Sequence, residues 1–198
     1  DYEYLQRNNA EIRKENELLR EQLGISKSIV NKNYVAQIIG RDPDSLYSAI
    51  TVNKGSRNGI RKNMPVIAVQ NGDIGLVGKV VTVGAFTSQI MPIYDFQCNI
   101  SARIQHTRDL GLVVGQGNAD SPLQMQYIKK RVLNELQYGN VVVTSGENEN
   151  YLKDIPIGSI TKIKTVDYDS SLIIEITPII DFARLETVMI VDVKTEQE

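Results

Sequence analysis

Few side chains in this sequence could carry out catalysis. The chain has one His, His106, and one Cys, Cys98, so a metal site built from several His or Cys ligands is excluded. A serine hydrolase needs a Ser nucleophile, a His base and an orienting carboxylate, for which Ser145, His106 and Asp109 are the candidates. Ser145 lacks a Gly-x-Ser-x-Gly context, and Asp109 follows His106 within one polar stretch. We therefore predict no catalytic residue, no metal and no cofactor.

The other polar motifs favour structural roles. Cys98 lies in an apolar alternation, which predicts a small buried side chain rather than a reactive thiol. The glycine-rich stretches 71–73 and 115–117 predict turns, and the basic run 129–131 predicts a solvated surface. The net charge of −2 gives no basic surplus, so we expect no nucleic-acid partner.

The composition predicts β-structure as the framework. The chain contains 24 Ile and 19 Val but only 14 Leu and 8 Ala, and β-branched residues favour strands over helices. From residue 34 onward, short Val/Ile-rich runs alternate with turn residues, and Asn71-Gly72 predicts a two-residue hairpin. The predicted strands are 34–39, 48–52, 66–69, 75–83, 99–104, 110–114, 141–144, 160–166, 172–176 and 188–193. Residues 129–138 are a weak helix candidate.

An internal repeat divides this β region. Residues 90–95 and 176–181 share the pattern Ile-x-Pro-Ile-x-Asp, and each follows a strand that opens on Gly, at Gly78 and Gly158. Because Pro cannot donate a ladder hydrogen bond, both Pro residues should mark edges or strand ends. The shared order favours two related small β-barrels, and a single β-sandwich is the alternative.

The N-terminal segment has a different pattern. Leu and Ile recur every seven residues, which predicts a coiled-coil helix over residues 1–30 with two Asn at a positions, a feature that tends to fix a parallel dimer. The alternative is an amphipathic helix packed on its own domain. The predicted dimerisation seam consists of Tyr2, Leu5, Asn9, Ile12, Asn16, Leu19 and Leu23. No stretch of the sequence approaches the length and apolar character of a membrane span.

The ordered series of turn and β motifs resembles the MreC family of bacterial rod shape-determining proteins. It runs through residues 45–78, 108–115, 139–158 and 178–188, after the Asn-bearing heptads. The sequence departs from the family's usual pattern at Asn140, Leu152 and Asp154, which bears on the loop 147–154. The family-motif positions, expected to be structural, are Gly55, Gly59, Met64, Gly75, Gly78, Asp95, Gly111, Gly115, Ser145, Gly146, Pro156, Gly158, Pro178 and Asp181.

The resemblance implies a scaffold at the outer face of the bacterial inner membrane. It implies an upstream membrane anchor, a coiled coil at 1–30 and two β-barrel regions at 34–108 and 109–195, in a fold similar to the chymotrypsin-like double barrel. It leaves open whether strands are exchanged between the barrels. It also implies a homodimer or higher assembly that organises peptidoglycan synthesis with a penicillin-binding transpeptidase, its polymerase partner and MreD.

Two other functions stay open from the sequence. An efflux-pump adaptor also joins a coiled coil to β domains, although it usually needs two antiparallel helices, and a chymotrypsin-like hydrolase is the third interpretation. For a scaffold, exposed apolar surface and unpaired strand edges would bind partners. The Tyr side chains proposed for such a surface are Tyr127, Tyr138, Tyr151 and Tyr168.

Overall fold

The computed structural model confirms a mainly β chain with two small barrels rather than one sandwich. It describes residues 33–41, 49–147, 151–165 and 170–193. The predicted coiled coil at 1–30 lies outside these residues. Twelve strands and three short 3₁₀ helices form the described part.

The strands fall into two sets of six in chain order. The first set is β1 (Asn33–Arg41), β2 (Ile50–Val52), β3 (Pro65–Gln70), β4 (Asp73–Val83), β5 (Ser88–Pro92) and β6 (Asn99–Ile104). The second set is β7 (Leu110–Val114), β8 (Leu123–Lys129), β9 (Val141–Thr144), β10 (Pro156–Thr165), β11 (Ser171–Pro178) and β12 (Thr187–Val191). The 3₁₀ helices are Ser56–Asn58, Lys130–Glu135 and Phe182–Arg184.

Each barrel takes its sixth strand from the other set. The first barrel closes in the order β1-β12-β3-β4-β5-β2, and the second in the order β10-β11-β8-β7-β6-β9. Strand β12 lies between β1 and β3, while β6 lies in the matching position between β7 and β9. A division at residue 108 therefore separates the first six strands from the last six. The two barrels do not coincide with this division, because β6 belongs to the second barrel and β12 to the first.

The repeated sequence motif has the same register in both barrels. Gly78 of β4 lies opposite Pro92 of β5, and Gly158 of β10 lies opposite Pro178 of β11. A register shift follows in both β4 and β10, two residues further along each strand. Both prolines are the last residues of their strands, as the sequence predicted. The two hairpins are thus equivalent elements of a duplicated architecture.

Close backbone contact explains why a glycine opens each of these hairpins. A Cβ at Gly78 would lie 1.9 Å from the carbonyl oxygen of Met91, and a Cβ at Gly158 would lie 2.2 Å from that of Thr177. No side chain can approach a backbone atom so closely, so glycine lets the two strands cross at the barrel corner. Any larger residue at either position would push the hairpin apart.

The predicted hairpin at Asn71-Gly72 is confirmed. These two residues connect β3 to β4, and both have positive φ, 52° and 87°, as a type I′ turn requires. Alternation along the flanking strands then sends apolar side chains inward, and one continuous core fills both barrels and the space between them. Burial of each Ile or Val side chain contributes roughly 1.5–3 kcal/mol, which makes this core the main stabilising feature.

Two strands were absent from the predicted set. Strand β5 was recognised only as part of the repeat, and β8 was missed although Leu123 and Met125 alternate with Gln124 and Gln126. The weak helix candidate at 129–138 is a 3₁₀ helix at Lys130–Glu135 with one buried residue, Val132. Its short buried face could not support a longer amphipathic helix.

We predict that the chain can be cut between Arg108 and Asp109 without losing the fold. This cut lies in the turn between β6 and β7, and it leaves each fragment with a strand that the other needs. Fragments 1–108 and 109–198 produced together should copurify in a 1:1 ratio, with the circular dichroism spectrum of the uncut chain. A fragment 109–198 that folds cooperatively as a monomer on its own would contradict the exchange.

Candidate functional site

The strand exchange depends on two crossover segments that meet between the barrels. Residues 93–98 lead from β5 to β6, and residues 179–186 lead from β11 to β12. Tyr94 of the first crossover contacts Phe182 of the second, edge to face, with ring centroids 4.9 Å apart. Both side chains are buried. An aromatic pair in this geometry contributes about 0.5–1.5 kcal/mol beyond its area burial. Residues 93–98 and 179–186 together form the barrel junction.

The first crossover is held mainly by glycines. A Cβ at Gly115 would lie 2.3 Å from the carbonyl oxygen of Asp95, so only glycine allows β7 to end against this segment. The N–H of Gly117 donates to the carbonyl of Tyr94 at 2.6 Å. The buried Asp95 carboxylate accepts from the N–H of Gln97 at 2.8 Å, which satisfies the turn that leads into β6.

The second crossover is held by side chains of the first barrel. The Arg41 guanidinium donates to the carbonyls of Phe182 and Leu185, the latter at 2.7 Å. Gln70 donates to the Asp181 carbonyl at 2.9 Å and accepts from the Asp181 N–H at 2.8 Å. The Asp181 carboxylate caps the short helix by accepting from the N–H of Ala183 at 3.0 Å. The two Asp residues of the repeat thus have matching roles in the two crossovers.

Cys98 ends the first crossover and is buried, as the sequence predicted. Its Sγ lies 3.6 Å from the hydroxyl of Tyr151, which is also buried. Burial raises the pKa of the Cys98 thiol to about 11, against an ordinary value of 9.0, and burial also raises the pKa of Tyr151. Cys98 is therefore a neutral thiol at physiological pH, in keeping with a packing role.

Ser145 takes part in a polar cluster that ties β6 into the second barrel. Its hydroxyl donates to Ser101 Oγ at 2.9 Å and accepts from the N–H of Glu147 at 3.1 Å. Arg103 of β6 pairs with Glu147 at 2.9 Å. His106 is exposed in the turn after β6. No hydrogen bond among the described residues joins His106 to Ser145, so the structure does not bring the hydrolase candidates together.

The other family-motif residues lie at close contacts and turns. Gly55 packs on the β4–β5 hairpin, where a Cβ would lie 2.4 Å from the carbonyl oxygen of Gly84. Gly59 and Gly146 have positive φ, 92° and 75°, which favours glycine.

A Cβ at Gly75 would contact Ile180 of the second crossover at 2.6 Å, and one at Gly111 would contact the Gln126 carbonyl at 2.7 Å. The remaining two are the buried Met64, whose sulfur accepts from the Arg61 N–H, and Pro156, the first residue of β10.

Exposed apolar side chains identify where partners could bind. Of the four Tyr candidates, Tyr127 is 67% exposed and Tyr138 is 71% exposed, whereas Tyr151 is buried and unsuited to an interface. Tyr168 lies outside the described residues. Tyr127 has a φ of 67°, which is rare for an aromatic residue and comes from a bulge that directs its ring outward. This bulge was not evident from the sequence.

A second apolar surface lies on the first barrel. Val35 and Ile39 of β1 are each 57% exposed, and Met189 of the neighbouring β12 lies opposite Val35. A groove of about 390 Å³ lies beside the junction, between residues 119–122 and the outer face of the β10–β11 hairpin. Within the described ranges, no cluster of His, Cys, Asp or Glu could hold a metal ion, and no helix is long and apolar enough to span a membrane.

Comparison with protein families finds a match that spans both barrels. The model described as rod shape-determining protein MreC, barrel core, matches residues 38–192, from β1 to just after β12. The match therefore includes both exchanged strands.

Individual relatives agree with this. The chain is 29% identical over 201 residues to the cell shape-determining protein MreC of Bacillus subtilis, covering 95% of this chain and 68% of the relative. The solved structure of MreC from Listeria monocytogenes is 29% identical, with a TM-score of 0.70 over 94% of this chain and 88% of that one. MreC in a complex with the penicillin-binding protein PBP2 of Helicobacter pylori shares the fold, with 16% identity and a TM-score of 0.56 over 81% of this chain and 99% of that one.

We predict that the barrel junction is a major source of stability. Replacing Phe182, which is 2% exposed, by Ala should lower the free energy of unfolding by about 3–5 kcal/mol, because a large cavity opens between the barrels. Phe86→Ala is the matched control. Phe86 is 64% exposed, and the Arg57 guanidinium lies 4.7 Å from its ring centroid, so its loss should cost less than about 1 kcal/mol. Urea denaturation measures both, and equal effects would refute a special role for the junction.

Proposed function

The chain belongs to the MreC family of rod shape-determining proteins, and we propose that it is a non-enzymatic scaffold that organises peptidoglycan synthases during cell-wall elongation. The observation that carries this proposal is the family match over residues 38–192, which includes both barrels and their exchanged strands. The comparisons reported above do not support the efflux-adaptor interpretation.

A penicillin-binding transpeptidase is the partner that the comparisons support best. The Helicobacter pylori relative forms a complex with PBP2, and that relative has the same double-barrel fold. The present chain offers exposed apolar side chains on both barrels, at Val35 and Ile39 and at Tyr127. Such surface on a rigid framework is typical of a protein that binds partners.

The absence of enzymatic activity is part of the proposal. The relatives are named for cell shape rather than for a reaction. The only His is exposed in a turn, and the hydroxyl of Ser145 is already engaged by Ser101 and the Glu147 N–H. A serine protease would instead need its Ser within hydrogen-bond reach of the His base.

Dimerisation and location complete the proposal. Residues 1–30 would form a parallel coiled coil that holds two copies together, with higher assembly built on this dimer. A membrane anchor upstream would place the barrels at the outer face of the bacterial inner membrane, where MreD and the polymerase partner of the transpeptidase would also bind. The heptad pattern and the family resemblance support these points.

We predict that the full-length protein copurifies with a penicillin-binding transpeptidase. Affinity purification from solubilised envelopes, followed by mass spectrometry, should recover the transpeptidase with the native chain. The variant Gly78→Val, which cannot close the β4–β5 corner, should lose it along with the barrel fold. Recovery of an outer-membrane channel in place of wall-synthesis proteins would contradict the proposal.

We predict that the dimer depends on the N-terminal heptads. Sedimentation equilibrium of the chain should show a dimer, whereas a chain truncated to begin at Tyr34 should be monomeric or should dimerise far more weakly. Asn9→Leu with Asn16→Leu is a useful second variant, because it should relax the preference for two strands and allow higher oligomers. An unchanged dimer after truncation would refute the coiled-coil seam.

A further inference from the structure

The two repeats differ in the length of one hairpin. Asp95 lies 17 positions after Gly78, whereas Asp181 lies 23 positions after Gly158. In the first barrel, the tip between β4 and β5 is fixed by the N–H of Ser56, which donates to the Gly84 carbonyl at 2.9 Å. In the second barrel, β10 and β11 continue past the corresponding point. The longer hairpin therefore extends further than its counterpart, and β8 accompanies β11 along this extension.

The outer half of β10 is paired on one side only. Strand β9 pairs with β10 as far as Ser159, and the last hydrogen bonds on that side involve Ile160, whose N–H donates to the Asn140 carbonyl at 2.9 Å and whose carbonyl accepts from the Gly139 N–H at 2.8 Å. Residues 161–165 then pair with β11 alone. In the part of the chain that the structure describes, no strand lies along their other side. Another stretch that pairs on one side only is residues 33–36 of β1, which pair with β12 but carry no charged side chain.

This edge carries positive charge. Lys162 and Lys164 are both exposed, and Ile163 between them is half-buried against the core. Lys164 donates to the carboxylate of Glu175 across the hairpin, and this hydrogen bond lowers the pKa of Glu175. Lys162 lies opposite Glu175 in the register, and its charge also lowers the pKa of that carboxyl, although within the described ranges the two form no ion pair. An incoming strand therefore meets two ammonium groups that share one carboxylate.

We propose that residues 161–165 of β10 form a docking edge to which a partner protein adds an extended, acidic segment as a further β-strand. Backbone hydrogen bonds to the unpaired edge would supply the affinity, and carboxylates beside Lys162 and Lys164 would supply the specificity. The inference goes beyond the scaffold role, because it states how a partner binds and does not depend on which wall-synthesis protein supplies the segment.

A second copy of this chain fits the edge poorly. If two copies paired antiparallel about Ile163, Lys162 of one copy would lie opposite Lys164 of the other. If they paired parallel and in register, each Lys would lie beside the same Lys of the other copy. Like charges directly opposite one another destabilise strand pairs. Lysines on an edge strand commonly prevent self-association in this way, so the same charge that excludes a second copy favours an acidic partner.

A nuclear magnetic resonance titration of the full chain tests the proposal. The probe is an acetylated eight-residue peptide in which Val and Glu alternate, and the comparison peptide has Lys in place of Glu. The acidic peptide should shift the amide signals of residues 161–165 and slow their hydrogen exchange. Lys162→Glu should weaken binding about fivefold, because an attraction becomes a repulsion. Lys62→Glu, an exposed site in the first barrel, is the matched control and should change nothing.

Three results would overturn the docking edge. These are an acidic peptide that leaves the amides of β10 unchanged, a Lys peptide that binds as well, and signals of 161–165 that shift with protein concentration alone, which would indicate pairing between copies. The amide spectrum also shows whether Lys162→Glu has kept the fold. A further outcome concerns a folded Lys162→Glu variant that no longer binds the peptide. If this variant still recovers the transpeptidase, the scaffold binds that partner through another surface, and the edge is overturned as the transpeptidase binding site.

Discussion

Neither barrel of this protein can close without one strand from the other half of the sequence. The first barrel needs β12, and the second barrel needs β6. If β12 were removed, β1 and β3 would expose unpaired backbone groups, and without β6 the same would hold for β7 and β9. Unpaired backbone groups are costly wherever water is excluded and promote aggregation wherever it is not. The exchange therefore couples the two barrels into one folding unit, and it requires the two crossovers to pass each other at the junction.

The junction shows how a duplicated architecture keeps its geometry while its contacts diverge. Asp95 and Asp181 each organise the turn into an exchanged strand. The first crossover is held by close glycine contacts, and the second by hydrogen bonds from Arg41 and Gln70. This packing fixes the orientation of both barrels, which is what a scaffold needs if it is to hold several enzymes at defined positions. The outer half of β10 extends beyond the end of β9 and pairs with β11 alone.

The sequence predicted the parts of this fold that depend on local chemistry. The hairpin at Asn71-Gly72, the strand ends at Pro92 and Pro178 and most of the strands follow from turn preferences and alternation. The repeat correctly indicated two related barrels. The partners of β6 and β12 could not be read from the sequence, because strand order in a closed barrel depends on contacts between residues far apart in the chain. For the same reason, the interface candidates Tyr127 and Tyr151 could not be told apart. A bulge exposes Tyr127, whereas Tyr151 is buried and its hydroxyl contacts Cys98, which is far away in the sequence.

Native-state hydrogen exchange tests the central claim most directly. If the exchanged strands make the two barrels one cooperative unit, the slowest amides of β3 and β4 in the first barrel and of β9 and β10 in the second should share one free energy of opening. Their exchange should also respond equally to added denaturant, because both barrels lose a strand in the same event. A second barrel that opens at a clearly lower free energy while the first stays closed would contradict this account.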